Sequence, residues 1–598
     1  MRRESMAFKT DDDQIFGKAY DSRLVKRLLR YVRPYRSLIF MSIGFLLVSS
    51  ACHLAGPYLI KVSIDDYISA RDMIGLSQIA LIYFTILIAR FIFQFSEIYI
   101  TQYVGQHIMY DLRREIFAYL QKLPLVYFDR NPVGRLITRV TSDVDALNEA
   151  VSSGMIAIFG NIFSITGIVV IMLWMDWKLA LVTFAVLPFL FTIAFLFKVK
   201  VRILFREVRG RLAVINSFLQ ENITGMHIVQ LFNREHENFR RFDAVNKEYL
   251  QANLDTIFHF AIFFPAVRLL SVFAIALIIW YGGGRIIHET LTFGILIGFI
   301  QYAELFYRPI QELSEKYNIF QSAMASSERI FKLLDEPVAI DSKPTAHPIT
   351  LFQHEIEFRH VWFAYDRDNF VLEDVCFTIG KGESIAIVGA TGSGKTTIIS
   401  LLCRFYDVNK GQILIDGIDI RDYDLHQLRQ MTAIVLQDVF LFSGTIEENI
   451  RLGNREFNSD RTRRAAEQTR ANPFIQKLPN GYNQEVKERG GSLSVGQRQL
   501  LSFSRALAFD PQILILDEAT SNIDTETEIL IQEGINELMK NRTSIIIAHR
   551  LSTIKHVDRI IAIHKGIIRE IGCHDALLAN KGIYYKLYQL QYKEQKWA

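Results

Sequence analysis

The chain has 598 residues, enough for about four soluble domains of ordinary size, yet half of them are hydrophobic, 44 are Phe, and the mean hydropathy is +0.16. Because 22% of the same residues are charged, the apolar ones must be concentrated, which describes a protein part membrane and part water-soluble. The abundance of Phe, Ile and Leu excludes disorder, four cysteines exclude a disulfide-stapled scaffold, and a net charge of +4 from 67 basic and 63 acidic residues excludes a general nucleic-acid surface. Cys52, Cys376, Cys403 and Cys573 stand alone, without CxxC spacing, and read as small buried hydrophobes.

Residues 1–20 contain Asp11, Asp12 and Asp13 and no apolar core, so they fit neither a secretory signal nor an acid-poor transit peptide, and this tail is expected in the cytoplasm. Residues 21–36 interleave Arg23, Lys26, Arg27, Arg30, Arg33 and Arg36 with Leu24, Val25, Leu28, Leu29 and Val32 at helical spacing, the pattern of a helix lying on the membrane surface. Six apolar stretches follow, near residues 37–62, 76–104, 152–175, 178–196, 257–281 and 291–307. Each is read as a helix crossing about 30 Å of hydrocarbon.

The outer connections are short: 65–74 with Asp65, Asp66 and Asp72, the turn at Asp176 and Trp177, and 282–290 with three consecutive glycines. The inner ones run to about 45 and 60 residues, the second opening with Lys198, Lys200, Arg202, Arg206, Arg209 and Arg211, so the positive-inside rule places both long connections and both termini in the cytoplasm. His53, Arg90, Gln94, Glu97, Asn161, His259, Arg268, Gln301 and Glu304 fall within the spans and are expected to face the bundle interior or a wet cavity. Substrate contact, interhelical pairing and snorkelling are all open to them.

The texture changes after about Leu334. Residues 336–350 hold Pro337, Pro344 and Pro348 and no long apolar run, a linker signal, and beyond them short strand-like runs alternate with helical ones, the signature of an α/β domain. The expected division is a tail at 1–20, an α-helical transmembrane bundle at 21–335, a linker at 336–350 and an α/β nucleotide-binding domain at 351–598.

In that domain residues 385–388 form a short apolar strand leading into Gly389, Ala390, Thr391, Gly392, Ser393, Gly394, Lys395 and Thr396, and then into an apolar helix beginning at Thr397. This is a GxxxxGK[ST] phosphate loop in its strand-loop-helix context. Its glycines let backbone N–H groups turn toward phosphate oxygens, Lys395 is placed to reach the β- and γ-phosphates of ATP, and the Thr396 hydroxyl to ligate Mg²⁺. The aliphatic run Ile513, Leu514, Ile515 and Leu516 fits a strand buried on both faces that delivers Asp517 and Glu518 to the edge of the sheet. Asp517 is then a Mg²⁺ carboxylate, and Glu518 the residue that orients or deprotonates the attacking water.

Leu493, Ser494, Val495, Gly496 and Gln497 resemble the LSGGQ signature of ABC ATPases, about twenty residues before Asp517 as in that family. The resemblance implies roles for further positions matching in order. Tyr365 would stack on adenine, Gln437 would be the Q-loop residue serving both metal and catalysis, Glu488 the acidic residue of the exporter X-loop, Asp524 the D-loop aspartate and His549 the catalytic switch histidine. Ser494, Gly496 and Gln497 would approach nucleotide, with Thr397 beside the phosphate loop. Val495 departs from the usual glycine of the signature, and the side chain is expected to point away from nucleotide. Residues 128–145 look like the first coupling helix of ABC exporters and residues 225–234 like the second.

Nearly the whole chain after about Asp21 is thereby identified as an exporter-type half-transporter, P-loop NTPase fused behind six spans. The resemblance implies ATP and Mg²⁺ as cofactors, a second half-transporter chain as partner in a homodimer or heterodimer, membrane lipid around the spans, and no nucleic acid. It implies export of a hydrophobic or amphipathic, drug-like or lipid substrate from a bacterial cell membrane. The alternative is an ATP-gated regulator or pore without concentrative transport; an importer is disfavoured because importers of this superfamily mostly keep spans and ATPase on separate chains.

Overall fold

The computed structural model describes residues 22–366, 369–454, 456–517, 525–547 and 554–595. It divides into two compact units, Met1–Leu120 with Gly134–Asp335, and Gln121–Val133 with Glu336–Ala598.

The first unit is helical. Its amphipathic α1 (Ser22–Val32) has no buried residue, as a surface helix requires. It leads through a 3-10 turn into α2 (Arg36–Val62), whose 27 residues span about 40 Å. α3 (Met73–Leu120) runs for 48 residues, well beyond a hydrocarbon thickness. The short α4 (Leu125–Arg130) belongs to the other unit, and the chain returns through α5 (Val133–Val140), α6 (Ser142–Glu149) and α7 (Ile156–Met175). α8 (Trp177–Phe184), α9 (Leu187–Thr224), α10 (Met226–Leu231), α11 (Glu235–Ile287) and α12 (Phe293–Leu334) complete the unit.

Among the described residues five helices are long and apolar enough to cross a membrane, and the sixth expected span is the shorter apolar segment Phe293–Phe306 that opens α12. Two boundaries differ from the sequence expectation. The stretch 178–196 is divided at Ala185 and Val186, and Pro188 sits in the first turn of α9 where its missing N–H has no helical acceptor to lose. The three glycines expected to form the last outer turn are helical and continue α11. Gly282 is needed for packing there, because a Cβ would lie 2.7 Å from the Leu296 side chain.

Acidic residues tie the short connections together. Asp65 accepts from the Thr292 hydroxyl at 2.6 Å and from the Gly294 N–H at 2.7 Å, joining the end of the first span to the start of the sixth. Asp176 caps α8 through Leu179 N–H at 2.8 Å and pairs with Arg285 at 2.7 Å. Away from these connections the buried Asp143 of α6 accepts from Ser326 Oγ at 2.8 Å and from Arg329 Nε at 3.0 Å, both on α12.

Of the polar residues expected to face inward, Asn161 is buried, while His53, Arg90, Glu97, His259 and Gln301 are half-buried. Gln94, Arg268 and Glu304 are exposed in the single chain. One chain alone does not cover them.

The second unit is α/β. A four-stranded antiparallel sheet has the order β2-β1-β4-β5, built from β1 (Glu355–Phe363), β2 (Leu372–Gly380), β4 (Lys410–Ile415) and β5 (Ile418–Asp419). A six-stranded sheet has the order β12-β11-β3-β10-β9-β6, parallel except for its edge strand β12 (Ile567–Gly572). Its other strands are β3 (Ser384–Val388), β6 (Thr432–Val435), β9 (Ile513–Asp517), β10 (Thr543–Ile547) and β11 (Arg559–His564). The small pair β7 (Gly444–Thr445) and β8 (Glu485–Val486) stands apart.

The helices are α13 (Lys395–Leu402), α14 (Leu425–Gln430), α15 (Ile446–Arg451), α16 (Ser459–Gln468), α17 (Asn472–Lys477), α18 (Val495–Ala508), α19 (Thr525–Met539), α20 (His574–Ala579) and α21 (Ile583–Gln595). Two cores lie against opposite faces of the six-stranded sheet. Ile513 and Ile515 enter one with Phe358 and Ile398, and Leu514 and Leu516 enter the other with Leu500 and Ile531, so β9 is buried on both faces as its aliphatic run requires.

Of the free cysteines expected to be buried, Cys403 is so, Cys52 is intermediate, and Cys376 and Cys573 depart from the expectation and are exposed. Asp143→Ala removes the carboxylate that accepts from Ser326 and from the partly exposed Arg329, so it is expected to destabilise the helical unit by roughly 1–3 kcal/mol. A lowered thermal midpoint of the helical signal in detergent checks this; an unchanged midpoint would show that the Asp143 cluster contributes nothing.

Candidate functional site

The phosphate loop leaves β3 at Val388 and folds under β11. A Cβ at Gly389 would lie 2.3 Å from the Ile563 carbonyl oxygen and 2.6 Å from Ser393 Oγ, so only glycine fits that crossing. Gly394, at φ 101, caps α13 in the left-handed region and turns the loop into the helix. Lys395 is buried, and its Nζ donates to the carbonyls of Gly389 at 2.8 Å and Ala390 at 3.1 Å. Burial lowers the lysine pKa from its ordinary value, and the Asp517 carboxylate acts in the opposite sense.

Ser393 Oγ is buried without a hydrogen-bond partner, and Thr396 is exposed beside it at the start of α13. A buried hydroxyl left unsatisfied at a helix N-terminus, next to a lysine, is the arrangement an oxyanion satisfies. The residues present therefore fit a phosphate group, and the Thr396 hydroxyl with the Asp517 carboxylate is a donor set of the hard oxygen type that suits Mg²⁺.

The parallel register sets which side chains share the edge. Ile547 of β10 stands opposite Ile387 of β3 and Asp517 of β9, and Val435 of β6 opposite Leu516, so these four strands end side by side. The half-buried Asp517 closes β9, and the exposed Gln437 follows the end of β6 by two residues. Glu518, Asp524 and His549 lie outside the described residues. Carboxyl edges of parallel strands are where open α/β sheets take ligands, because the loops there are free to diverge from a fixed scaffold.

The signature segment starts α18. Ser494 accepts from Gln497 N–H at 3.2 Å, and the Gln497 side chain accepts in return from Ser494 N–H at 3.0 Å, a reciprocal capping box. Gly496 is buried in the first turn, whereas Val495 is 46% exposed. Glu488 is exposed in a short 3-10 turn just upstream.

Tyr365 follows β1 and shares a hydrogen bond with Thr397 Oγ1 at 3.2 Å, which sets its half-open ring beside the phosphate loop. Phe363 and Tyr406 meet it edge-on at 4.8 and 5.2 Å. These rings border a cleft of about 330 Å³ that also includes Asp129 and Arg130 of α4. The Tyr406 hydroxyl donates to the Asp129 carboxylate, and Val126 packs on the core that holds Tyr406. Burial, then the Asp129 bond, raises the Tyr406 pKa, so the phenol stays a donor across the physiological range. Tyr406 escaped the sequence reading: no spacing or motif marks it, and only the fold brings it to Asp129.

Residues 39–310 match the family described as ABC transporter transmembrane region, and residues 372–521 the family described as ABC transporter. The chain is 40% identical over 587 residues to the ABC transporter ATP-binding protein YknV of Bacillus subtilis (strain 168), covering 98% of this chain and 97% of that one. It is 37% identical to an ATP-dependent lipid A-core flippase of Syntrophus aciditrophicus (strain SB), covering 96% and 95%. A solved structure of a bacterial Atm1-family ABC exporter with ATP bound is similar with a TM-score of 0.77 at 27% identity, covering 93% and 98%.

Replacing Tyr406 by Phe keeps the ring and removes the donor to Asp129. Faster backbone hydrogen exchange across residues 125–130 is the expected outcome, by about fivefold if the charged hydrogen bond contributes about 1 kcal/mol net. Unchanged exchange there would mean that α4 is held by apolar packing alone.

Proposed function

The chain belongs to the ABC transporter family, and from that premise we propose that this ATP-hydrolysing membrane transporter exports a hydrophobic or amphipathic substrate by alternating access in a dimer. One observation carries the coupling: residues 121–133 leave the helical unit and pack within the nucleotide-binding unit, where Asp129 meets Tyr406 beside Tyr365. A membrane-proximal segment seated next to an aromatic at the phosphate loop is the physical means by which nucleotide occupancy is felt by the spans.

The dimer follows from incompleteness. Each chain carries one phosphate loop and one signature, which in the family face each other across two chains, and Gln94, Arg268 and Glu304 stand exposed in the single chain. A second half-transporter supplies the facing signature and the rest of the interior. Lys395 and Ser393 would hold phosphate oxygens, Tyr365 would stack on the base, and Thr396, Gln437 and Asp517 would hold Mg²⁺, which would supply neutralisation of phosphate charge. Glu518 takes the proton of the attacking water, His549 steadies the terminal phosphate, and Asp524 with Ser494 and Gln497 completes the partner's half. Closure of the paired nucleotide units turns an inward-facing cavity outward, and hydrolysis resets it. The lipid A-core flippase and the ATP-bound exporter among its relatives support an amphipathic cargo moved outward.

Three outcomes test this reading. Glu518→Gln is expected to bind and occlude ATP while turnover falls by about 100-fold or more; hydrolysis at the wild-type rate would remove Glu518 from its role. Tyr365→Ala is expected to weaken ATP binding about fivefold or more, with Tyr365→Phe retaining most of the affinity, since the ring and not the hydroxyl stacks. Equal losses in both variants would assign the contribution to the Thr397 hydrogen bond. The mass of the detergent-solubilised complex from this chain expressed alone separates a homodimer from a chain that needs a different partner.

A further inference from the structure

We propose that His360, Asp374 and Cys376 form a binding site for a divalent cation of the zinc type on the outer face of the antiparallel sheet. Among the described residues this is the group whose imidazole, carboxylate and thiol donors converge, all lying within 4.8 Å of one another. Nothing in the reading of the phosphate loop or the spans uses them.

A backbone irregularity brings them together. Between β1 and β2 the pairing passes from Phe358 opposite Phe377 to Val361 opposite Val375, so Arg359 and His360 face Cys376 alone, a β-bulge. His360 adopts φ 51 and Asp374 φ 52, left-handed positions that re-aim both side chains, and Asp374 and Cys376, two apart on one strand, share a face. The result is His360 Nδ1 at 2.7 Å from Asp374 Oδ1 and 3.4 Å from Cys376 Sγ, with the His360 N–H directed at the same sulfur at 3.2 Å.

Those spacings suit a metal. Zinc bonds of about 2.0–2.3 Å to nitrogen, oxygen and sulfur place tetrahedral donors about 3.2–3.8 Å apart. The 3.4 Å spacing falls inside that range and the 2.7 Å hydrogen bond below it, so a side-chain rotation that opens the His360–Asp374 hydrogen bond lets it give way to two bonds to the cation. Thiolate with imidazole selects zinc-class ions over magnesium or calcium, which prefer oxygen alone. Side-chain exposures of 71% for His360 and 56% for Asp374 leave the fourth position open to water. Binding needs Cys376 as thiolate and the lone pair of His360 Nδ1, so the thiol proton leaves to solvent and the Nδ1 proton moves by way of solvent to Nε2. The neighbouring cation Arg359 is already engaged by Glu357, at 2.6 and 2.9 Å, and does not compete.

The position gives the site a consequence. Glu373 N–H donates to the Gly566 carbonyl at 2.9 Å, and a Cβ on Gly394 would meet Leu372 at 2.6 Å, so the start of β2 packs on the phosphate loop. A cation across the bulge braces the hairpin whose ends carry Leu372 and Tyr365.

The test uses the full chain in detergent, chelator-treated, free of affinity tags and nucleotide, with Co²⁺ as the probe. One equivalent is expected to produce a thiolate-to-cobalt charge-transfer band that is lost in Cys376→Ser and retained in Cys573→Ser. His360→Ala and Asp374→Asn are each expected to weaken binding about tenfold or more. Absence of the band, its survival in Cys376→Ser, or its loss in Cys573→Ser would overturn the site. None of these readouts depends on ATP turnover, so failure here leaves the transport reading untouched, and failure of transport leaves this site intact.

Discussion

The Tyr406 hydroxyl and the Asp129 carboxylate meet where a segment of the membrane half has become part of the nucleotide-binding unit. The bond joins a carboxylate acceptor to a phenol that is protonated at physiological pH, and burial with the Asp129 bond raises its pKa further. Around it Val126 packs on the same core as Ile398 and Ile513, which also supports the phosphate loop and β9. Displacement of the loop and displacement of α4 therefore act on one closely packed body, and such bodies shift between discrete arrangements instead of deforming gradually.

The nucleotide chemistry depends on a second constraint, the shared carboxyl edge of β3, β10, β9 and β6. Residues far apart in sequence, from Lys395 to Asp517, are brought within electrostatic reach because their strands are parallel and in register. The loop crosses close beneath the Ile563 carbonyl and turns at Gly394 into α13, which places Lys395 and the unpartnered Ser393 hydroxyl side by side. A loop ordered in this way leaves little ordering to be done on binding.

Much of this was legible in the sequence where one period or one motif governs a segment. The strand-loop-helix context of residues 385–397, the doubly buried β9 and the basic amphipathic α1 all follow from local patterns that the fold keeps. Hydropathy failed at boundaries for a physical reason. Helices such as α3 and α11 continue far past the hydrocarbon on charged sequence, and Gly282 sits inside a helix because neighbouring side chains demand closeness there. Tyr406 and the His360 cluster were invisible because a long-range pairing and a bulge, neither of which has a period, create them. The exposed Cys376 shows the same limit, since residue type alone suggested burial.

The most direct measurement of the central claim is accumulation of an amphipathic fluorescent dye in inside-out vesicles containing the chain. The account predicts ATP-dependent uptake against a concentration gradient, with none on a nonhydrolysable ATP analogue. Equilibration that stops at equal concentrations, or uptake that the nonhydrolysable analogue supports equally well, would contradict it and describe a gated pore.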